Sequence, residues 1–414
     1  MKTKTITIYF LNKKEENKMP TNLKFSDSSL ILNFELTKSV KKKYGIFFTS
    51  ELLVNKILDK LKIILIKFNI KISKVLEPSC GSGEFLFGLN KYFSKLNILG
   101  LELNNAIYTK IRNFSFLSNH LVIKKADFLN FYDNKGFDLI IGNPPFKLIK
   151  KSSVVNYKTF FQNKINIYVL FILHSLRHLT DNGILIFVLP KSFLTSISYN
   201  DTRIYIRNNY KILSIIDNLV GNFFFGTSIE ICVLFIQKKK SISKKYFVFF
   251  GPYLSFSTHY KYLNKLLTEG TSLSNLNFTV SVGSALKSKF KNKKNIITGL
   301  NKGYFICVND IRNNELNLNS ISIVSSNNFQ YGTCIIVSRS YGTTKFTFKF
   351  AIVNLKRIGY IVENHLLIIK HTEGNIKLLE LINKFNNKFF LKFISLYFSN
   401  QSLNKKELLL LPIL

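Results

Sequence analysis

Short strands that are apolar on both faces, separated by helical stretches, constrain the fold of this chain more than any other feature. The strand pattern occurs at 74–77, 97–102, 121–124, 137–142 and 184–189, and helical spacing occurs at 52–69, 85–96 and 167–179. A strand that is apolar along its whole length is buried from both sides, which is typical of a parallel sheet with helices on both faces. We therefore predict an α/β domain whose ligands bind at the carboxyl ends of its strands.

The alternation of strands and helices stops after Gln237. A charged stretch over residues 238–245 follows, and beyond it the pattern changes to short β-rich runs such as 334–338 and 346–353. We expect a domain boundary near residues 238–250. The sequence then divides into an N-terminal arm (1–40), a first domain (41–240) and a second domain of mixed α+β structure (245–414).

The charge of the chain indicates a polyanionic partner. The sequence has 59 Lys and Arg against 23 Asp and Glu, a formal net charge of +36. Only seven of the basic residues are Arg, and the abundance of Lys, Asn, Ile and Phe is typical of an AT-rich genome. The sign of the charge is therefore more informative than its size: it excludes an acidic solvating protein and points to a polyanionic partner.

Cysteine spacing and hydropathy exclude several other classes of protein. The four cysteines lie far apart without a CxxC pair, so neither a zinc ribbon nor a disulfide framework is indicated. No window approaches the roughly 18 uninterrupted apolar residues of a membrane-spanning helix, and the N-terminus does not have the form of a secretory signal. We expect a cytoplasmic protein that does not enter a membrane.

A glycine turn follows the first predicted strand. It begins at Glu77 and Pro78 and contains Gly81 and Gly83, so that backbone amides can approach a ligand closely. A nicotinamide-dinucleotide fingerprint would have a third glycine at position 86, where this chain has Leu86. Taken alone, the turn is equally compatible with ordinary strand-to-helix geometry.

Carboxylates follow the next two predicted strands. Glu102 ends the second strand, where a carboxylate can accept hydrogen bonds from both hydroxyls of a ribose. Asp127, which Phe128 follows, comes after the third strand and can accept a hydrogen bond from the exocyclic amine of an adenine. Considered singly, Glu102 is equally well explained as a helix-capping acid and Asp127 as a turn residue.

The most specific motif, Asn143-Pro144-Pro145-Phe146, ends the fourth predicted strand. Proline fixes φ and has no amide donor, which leaves the carbonyls of this turn available as acceptors. The Asn143 side-chain oxygen and the Pro144 carbonyl can accept hydrogen bonds from both N–H groups of one planar amino group. These hydrogen bonds direct the nitrogen lone pair at an electrophile. Phe146 can stack on the ring that carries the amine. A rigid turn beside a core phenylalanine is the competing explanation.

With these motifs, the chain resembles S-adenosylmethionine-dependent N6-adenine DNA methyltransferases of the TaqI-like, gamma arrangement. In that family the cofactor motif precedes the Asn-Pro-Pro-Phe motif, and a target-recognition domain follows. Residues 43–50 resemble the family's N-terminal cofactor segment, with Thr49-Ser50 where the family usually has Thr-Pro, and residues 222–229 resemble its later aromatic motif. The resemblance covers about residues 40–237.

The resemblance implies a fold and a set of cofactor contacts. Residues 41–240 would form a Rossmann-like methyltransferase sheet with helices on both faces, and residues 245–414 the target-recognition domain. Thr49 and the turn at 77–83 would hold the methionine part of S-adenosylmethionine. Glu102 would hold the ribose, and Asp127 with Phe128 would hold the adenine ring of the cofactor.

The resemblance also implies a mechanism. The enzyme would bind double-stranded DNA and flip one adenine into the pocket, where N6 attacks the sulfonium methyl in line. Residues 143–146 would hold the base, and the ring on its other face would be Phe224 or Phe225, between which the sequence does not decide. No metal is needed for this reaction. We expect a monomer that acts as the modification enzyme of a restriction–modification system or as a solitary methylase.

Other functions remain open at this point. Asn-Pro-Pro followed by an aromatic residue also occurs in enzymes that methylate RNA bases or a glutamine of a release factor. About 175 residues follow the first domain, which favours a DNA enzyme with its own recognition domain. An idle nucleic-acid-binding subunit would be expected to have lost Asn143 or Gly81, and both are present. Only about 43 residues precede the cofactor segment, so we expect no fused nuclease, while a separate partner nuclease stays open.

One further pair of residues has the spacing of metal ligands. His174 and His178 lie four residues apart on a predicted helix, a spacing that can bind zinc. Because no carboxylate nearby completes such a site, we favour a structural role for both histidines.

Overall fold

The computed structural model describes residues 25–93, 95–113, 120–150, 157, 164–219, 223–224, 229–286, 302–339, 346–372, 374–398 and 403–414. The chain divides into two compact units. The first consists of Met1–Pro190 and Tyr205–Ser243, and the second of Lys191–Ile204 and Lys244–Leu414. The segment Lys191–Ile204 thus belongs to the second unit, although the sequence pattern changes only after Gln237.

The first unit contains helices before, between and after its strands. Its helices are α1 (Asp27–Glu35), α2 (Lys38–Tyr44), α3 (Glu51–Phe68), α4 (Glu84–Tyr92), α5 (Asn105–Ile111), α6 (Ile167–His178) and α7 (Asn200–Asn209), of which α7 begins in the second unit. Its strands are β1 (Lys74–Glu77), β2 (Asn97–Glu102), β3 (Leu121–Lys125), β4 (Phe137–Gly142), β5 (Leu148–Lys150), β6 (Lys164–Asn166), β7 (Leu179–Pro190), β8 (Lys211–Ile216) and β9 (Ile231–Gln237).

The central sheet of the first unit has the strand order β3-β2-β1-β4-β7-β9-β8. The first five of these strands are parallel, and β9 runs antiparallel to both of its neighbours. The predicted α/β fold with a parallel sheet is therefore confirmed, with an antiparallel strand added at one side. The direction of strand succession reverses between β1 and β4, and this reversal opens a crevice at the carboxyl ends of the two strands.

Helix α3 shows how the sequence determines this packing. Its buried residues recur at three- and four-residue spacing and include Val54 and Leu58, so that one face of the helix enters the core. Gly88 of α4 lies against that face, since a Cβ atom at Gly88 would come within 2.6 Å of a Val54 methyl group. A larger residue at position 88 would push the two helices apart.

Two predicted boundaries of the first unit are wrong. Helix α4 ends at Tyr92, because Phe93 is extended, with φ of −139°. Strand β7 begins at Leu179 and not at the predicted residue 184, so it includes a turn at 181–183, between the predicted helix and strand, where Asn182 has a φ of +66°. The strand pairing accommodates this turn as a bulge, since Phe137 pairs with Leu179 and the next pair joins Leu139 to Ile184.

The second unit combines a mixed sheet with helices, which agrees with the predicted α+β structure. Its strands are β10 (Phe247–Phe250), β11 (Tyr253–Phe256), β12 (Thr271–Ser272), β13 (Phe278–Val282), β14 (Lys302–Ile306), β15 (Ile311–Arg312), β16 (Glu315–Leu316), β17 (Ser322–Ser325), β18 (Gln330–Ser338), β19 (Phe350–Val362), β20 (Leu366–His371) and β21 (Pro412–Ile413). Its helices are α8 (Tyr260–Glu269), α9 (Asn375–Phe385), α10 (Lys388–Tyr397) and α11 (Lys405–Leu410).

The largest sheet of the second unit has the order β13-β20-β18-β19-β14-β17. Only its β14–β19 pair is parallel among the described pairings. The strand predicted at 346–353 begins at Phe350, and the preceding Phe346 and Phe348 pack into the core instead. In the described part of the chain, no helix combines the length and the apolar character needed to cross a membrane.

Candidate active site

The crevice between β1 and β4 forms a cleft in the first unit. Most of the residues predicted to bind cofactor or target line it, namely Thr49, Glu77, Pro78, Gly81, Glu102, Asp127, Phe128, Asn143 and Pro145. Of the other predicted residues, Gly83, Pro144 and Phe146 belong to the same segments without lining the cleft. Phe224 does not line the cleft but forms an isolated bridge with Thr49, which does, and Phe225 lies outside the described residues. The structure thus brings together residues that are distant in the sequence, such as Phe47 and Asn143, which lie 96 positions apart and are joined by a hydrogen bond.

The glycine turn after β1 has a backbone that requires glycine. Gly81 has a φ of +50° and Gly83 a φ of +86°, both in the left-handed region that favours residues without Cβ. The Gly81 amide donates a hydrogen bond to Oε2 of Glu102 at 3.0 Å, and the Cys80 amide donates one to the Leu101 carbonyl at 2.9 Å. These bonds hold the turn against the end of β2.

Glu102 is positioned for more than helix capping. Its Oε1 accepts a hydrogen bond from the Asn104 amide at 2.7 Å, and its Oε2 accepts one from the Gly81 amide. Both carboxylate oxygens are therefore bonded to backbone amides. Burial raises the pKa of this carboxyl, although the backbone hydrogen bonds oppose the shift. A carboxylate in this position can exchange its contact with Gly81 for a contact with a ligand hydroxyl.

Two further carboxylates, Glu77 and Glu84, are buried beside Glu102. Burial raises the pKa of Glu77 well above its usual value, and the negative charges of Glu102 and Glu84 raise it further. Oε2 of Glu77 is buried and has no hydrogen-bond partner among the described residues. Three acids around one cavity favour a cationic ligand, which agrees with the sulfonium and ammonium groups of S-adenosylmethionine.

Helix α1 contributes to the glycine turn, which sequence reasoning missed. Oε1 of Glu84 accepts hydrogen bonds from the Ser26 amide at 3.0 Å, the Ser26 hydroxyl at 2.5 Å and the Ser29 hydroxyl at 2.6 Å. The Ser29 hydroxyl also contacts the Ser82 hydroxyl at 2.7 Å. No local pattern identifies this network, because its partners lie more than 50 positions apart along the chain.

Asn143 is held in one orientation. Its Nδ2 donates hydrogen bonds to the Phe47 carbonyl at 3.0 Å and to Thr49 Oγ1 at 3.2 Å. Because a carbonyl oxygen can only accept, the amide nitrogen must face Phe47. The opposite atom, Oδ1, is buried and has no partner among the described residues. A buried acceptor without a partner is costly, so this oxygen is poised to receive a donor from a ligand.

The turn after Asn143 is fixed by the segment that contains Gly45. The Phe146 amide donates a hydrogen bond to the Gly45 carbonyl at 3.2 Å. Gly45 has a φ of +69°, and a Cβ atom there would lie 3.0 Å from the backbone of Phe146. The glycine is therefore required both by its conformation and by this close approach.

An aromatic cluster lies behind the Asn143 turn. The Phe146 ring packs against Phe47, Phe224 and Tyr168, with centroid distances of 5.4, 5.9 and 5.9 Å. Phe224 is joined to Thr49 by an isolated antiparallel bridge and is 2% exposed. The rings of Phe146 and Phe224 lie edge to face at 78°, so no base fits between them in this conformation.

Asp127 and Phe128 lie at the far side of the cleft. Oδ1 of Asp127 accepts the Leu129 amide at 3.0 Å, so the residue also closes the turn that the sequence suggested. The Phe128 ring is 2% exposed and packs against Phe171 at 5.0 Å and, edge-on, against His174 at 4.8 Å.

The two histidines of α6 have hydrogen-bond partners within the protein. Nε2 of His174 contacts the Phe131 carbonyl at 3.0 Å and must therefore carry the proton, so Nδ1 accepts from the Tyr157 hydroxyl at 3.1 Å. Nδ1 of His178 donates to the His174 carbonyl at 2.9 Å. Burial lowers the pKa of His174. Among the described residues, no group of three or more His, Cys, Asp or Glu side chains is placed to hold a metal ion.

Comparison with known proteins shows what the methyltransferase motifs of this chain are similar to. Residues 52–225 match the family described as Eco57I restriction-modification methylase. The type II methyltransferase M.CvrRI from Paramecium bursaria Chlorella virus XZ-6E is 27% identical over 83% of this chain and 88% of its own length.

Two other relatives share only part of their length with this chain. The modification methylase CviBIII from Paramecium bursaria Chlorella virus NC1A is 33% identical over 41% of this chain and 43% of its own. M.HincII from Haemophilus influenzae is 28% identical over 42% of this chain and 34% of its own. The chain therefore spans less than half the length of these two relatives.

The comparisons confirm the predicted resemblance to S-adenosylmethionine-dependent DNA methyltransferases of restriction–modification systems, and with it S-adenosylmethionine as the cofactor. The gamma arrangement, the choice of adenine and the role of each site residue remain predictions.

Proposed function

We propose that this chain transfers a methyl group from S-adenosylmethionine to the N6 amino group of an adenine flipped out of double-stranded DNA. It would act as the modification enzyme of a restriction–modification system or as a solitary methylase. The observation that carries the proposal is the buried Oδ1 of Asn143, which has no hydrogen-bond partner among the described residues and whose orientation two hydrogen bonds fix.

The cofactor would lie among the three buried carboxylates. Glu77 and Glu84 would balance its positive charges, and Glu102 would accept hydrogen bonds from the ribose hydroxyls. Asp127 would accept a hydrogen bond from the adenine amine of the cofactor, beside the Phe128 ring. When bound, S-adenosylmethionine supplies a methyl group made electrophilic by its sulfonium.

Asn143 would prepare the target amine. Its Oδ1 and the Pro144 carbonyl would accept hydrogen bonds from the two N–H groups of the amine. The nitrogen lone pair would then leave conjugation with the ring and point into the cleft. The Nδ2 contacts to Phe47 and Thr49 prevent the amide from turning its donor end to the target. Formation of the carbon–nitrogen bond would be matched by cleavage of the bond between the methyl carbon and the sulfonium sulfur, which leaves S-adenosylhomocysteine as a neutral thioether. The alkylated nitrogen is acidic and would lose one proton to solvent, so positioning supplies most of the rate.

Aromatic contacts would hold the flipped base. Phe146 would stack on one face, and either Phe224 or Phe225 on the other. Because Phe146 and Phe224 are edge to face in the structure, base entry requires one of these rings to move. We assign target recognition to the second unit, which is supported by its own hydrophobic core and by its position in the chain after the methyltransferase motifs. The same proposal holds that the methyltransferase acts as a monomer and that any nuclease of the system is a separate protein.

The test is to identify the methylated nucleoside. The purified chain is incubated with S-adenosylmethionine and mixed-sequence duplex DNA that carries no methylation, and the DNA is then digested to nucleosides. We expect N6-methyladenine, and we expect none from the Asn143→Ala variant, although that variant still binds cofactor. A methylated cytosine would overturn the choice of base, and methylation found only when RNA is supplied would overturn the choice of substrate.

A further inference from the structure

We propose that Lys43 and Lys147 together bind the backbone phosphate next to the flipped nucleotide. The proposal rests on the proposed function and deepens it, because it gives the target side of the cleft a means of distinguishing a nucleotide from a free base or a protein amide. A polynucleotide carries an anionic phosphate beside every base, whereas a glutamine side chain does not.

The two lysines belong to segments that are physically joined. Lys43 precedes Gly45 by two residues and Lys147 follows Phe146 directly. The hydrogen bond from the Phe146 amide to the Gly45 carbonyl, at 3.2 Å, ties the two segments together. Both lysines line the same cleft as Asn143, and both are exposed.

The charges of the cleft are separated in space. Three of the four acids that line the cleft, Glu77, Glu84 and Glu102, are buried, and the fourth, Asp127, is half-buried. Among the described residues that line the cleft, Lys43 and Lys147 are the cationic side chains, and both are exposed. A cleft of this kind favours a cationic group inside and an anionic group at its rim.

The backbone of Lys147 is already held, so its side chain is the part left for a ligand. The Lys147 amide donates a hydrogen bond to Asn166 Oδ1 at 2.9 Å, and its carbonyl accepts the Ile167 amide at 2.8 Å. These bonds fix the point from which the side chain extends, one residue after the Phe146 ring. No carboxylate of the described residues forms an ion pair with Lys43 or Lys147.

One other anion deserves comparison with the phosphate. The carboxylate of the cofactor's methionine group is an oxyanion too, and Lys43 lies near the predicted methionine contact at Thr49 in the sequence. Lys147 instead follows the residues proposed to hold the target base, which favours the phosphate. The two ligands can be distinguished by the Kd for S-adenosylmethionine in the absence of DNA. Replacing the lysines would raise this Kd if they bind the cofactor carboxylate and would leave it unchanged if they bind the DNA phosphate.

The experiment combines neutral lysine replacements with neutral phosphates. The wild-type chain is first used to find a methylated duplex sequence. Duplexes of that sequence are then made with a methylphosphonate, which has no charge, at the phosphate on either side of the target adenine. Transfer is measured for the wild type, Lys43→Gln and Lys147→Gln. Lys42→Gln and Lys150→Gln are matched controls, because both residues are exposed and neither lines the cleft.

We expect Lys147→Gln to raise KM for DNA about tenfold, to leave the Kd for S-adenosylmethionine unchanged, and to reduce the salt dependence of DNA binding by about one phosphate contact. One methylphosphonate should lower transfer by the wild type and by both controls equally. The same methylphosphonate should lower transfer by Lys147→Gln or Lys43→Gln little further, because the contact between lysine and phosphate is already lost in these variants.

Two results would overturn the inference while leaving the proposed function intact. One is a methylphosphonate effect as large in the lysine variants as in the wild type. The other is a higher Kd for S-adenosylmethionine in both lysine variants, which would assign Lys43 and Lys147 to the cofactor carboxylate. A wild type that methylates no DNA would remove the proposed function, and the phosphate contact with it.

Discussion

Replacing Asn143 by aspartate exchanges one atom of the proposed target site and keeps its shape. The exchanged atom is Nδ2, which donates to the Phe47 carbonyl at 3.0 Å and to Thr49 Oγ1 at 3.2 Å. In the aspartate variant, an oxygen would face the carbonyl oxygen of Phe47 without a proton between them. Protonation of the new carboxyl restores a donor at that position, so the variant should work only in its protonated form.

The magnitude follows from the lost hydrogen bond. A buried acceptor left without its donor costs about 1–3 kcal/mol, which is roughly a 5- to 150-fold change in an equilibrium. Ionised aspartate adds repulsion between the two oxygens, and this repulsion raises the pKa of the new carboxyl. We therefore expect methyl transfer by Asn143→Asp to fall about 10- to 100-fold at pH 8 and to recover as the pH is lowered.

The assay is a pH profile of single-turnover methyl transfer with cofactor binding measured alongside. Thr49→Val is the comparison, because it removes the contact at 3.2 Å and keeps the one to Phe47, so it should lower the rate less at saturating cofactor. The cofactor Kd measured alongside reports any loss of the contact that Thr49 would make to the methionine group. The pH profile of Thr49→Val should follow that of the wild type. If Asn143→Asp transfers at the wild-type rate with the same pH profile, donation from Nδ2 does not orient this residue and the reasoning is refuted.

Three other predictions concern the cofactor, the target turn and stability. Because burial and neighbouring acids raise the pKa of Glu77, binding of a cationic cofactor should release a proton. The affinity for the cofactor should then rise with pH above the usual carboxyl range, by up to about tenfold per pH unit. Calorimetry in buffers of different ionisation enthalpy counts the released proton. Gly45→Ala should lower the free energy of unfolding by about 1–2 kcal/mol and raise KM for DNA, because φ is +69° and the added Cβ would contact the Phe146 backbone; chemical denaturation and steady-state kinetics check this. Burial lowers the pKa of His174 below 6.5, so the unfolded chain takes up its proton first and stability should fall as the pH drops below about 6.5; His174→Gln should flatten that dependence in denaturation curves.

The sequence predicted the sheet better than the ends of its elements. Residues 184–189 of β7 are apolar on both faces and buried, and that pattern has few solutions other than a covered parallel sheet. The end of α4 at Tyr92 depends on the extended conformation of Phe93, which helical spacing does not reveal. The turn around Asn182 became a bulge because β4 and β7 pair on both sides of it. Pairing partners are tertiary information, which a local pattern lacks.

The candidate site was predictable where its residues follow strand ends. Glu77, Glu102, Asp127 and Asn143 lie at the ends of neighbouring parallel strands or just beyond them, so topology alone brings them to one edge. The contacts of Ser26 with Glu84 could not be predicted, because they depend on where α1 packs.

The most direct test of the central claim is methyl transfer from labelled S-adenosylmethionine to duplex DNA, total RNA and cell protein, offered side by side to the wild type and to Asn143→Ala. We predict label in DNA as N6-methyladenine with the wild type, and no label with Asn143→Ala, whose Kd for the cofactor stays within a few-fold of the wild-type value. Label in glutamine or RNA alone, or transfer that survives in Asn143→Ala, would contradict the account.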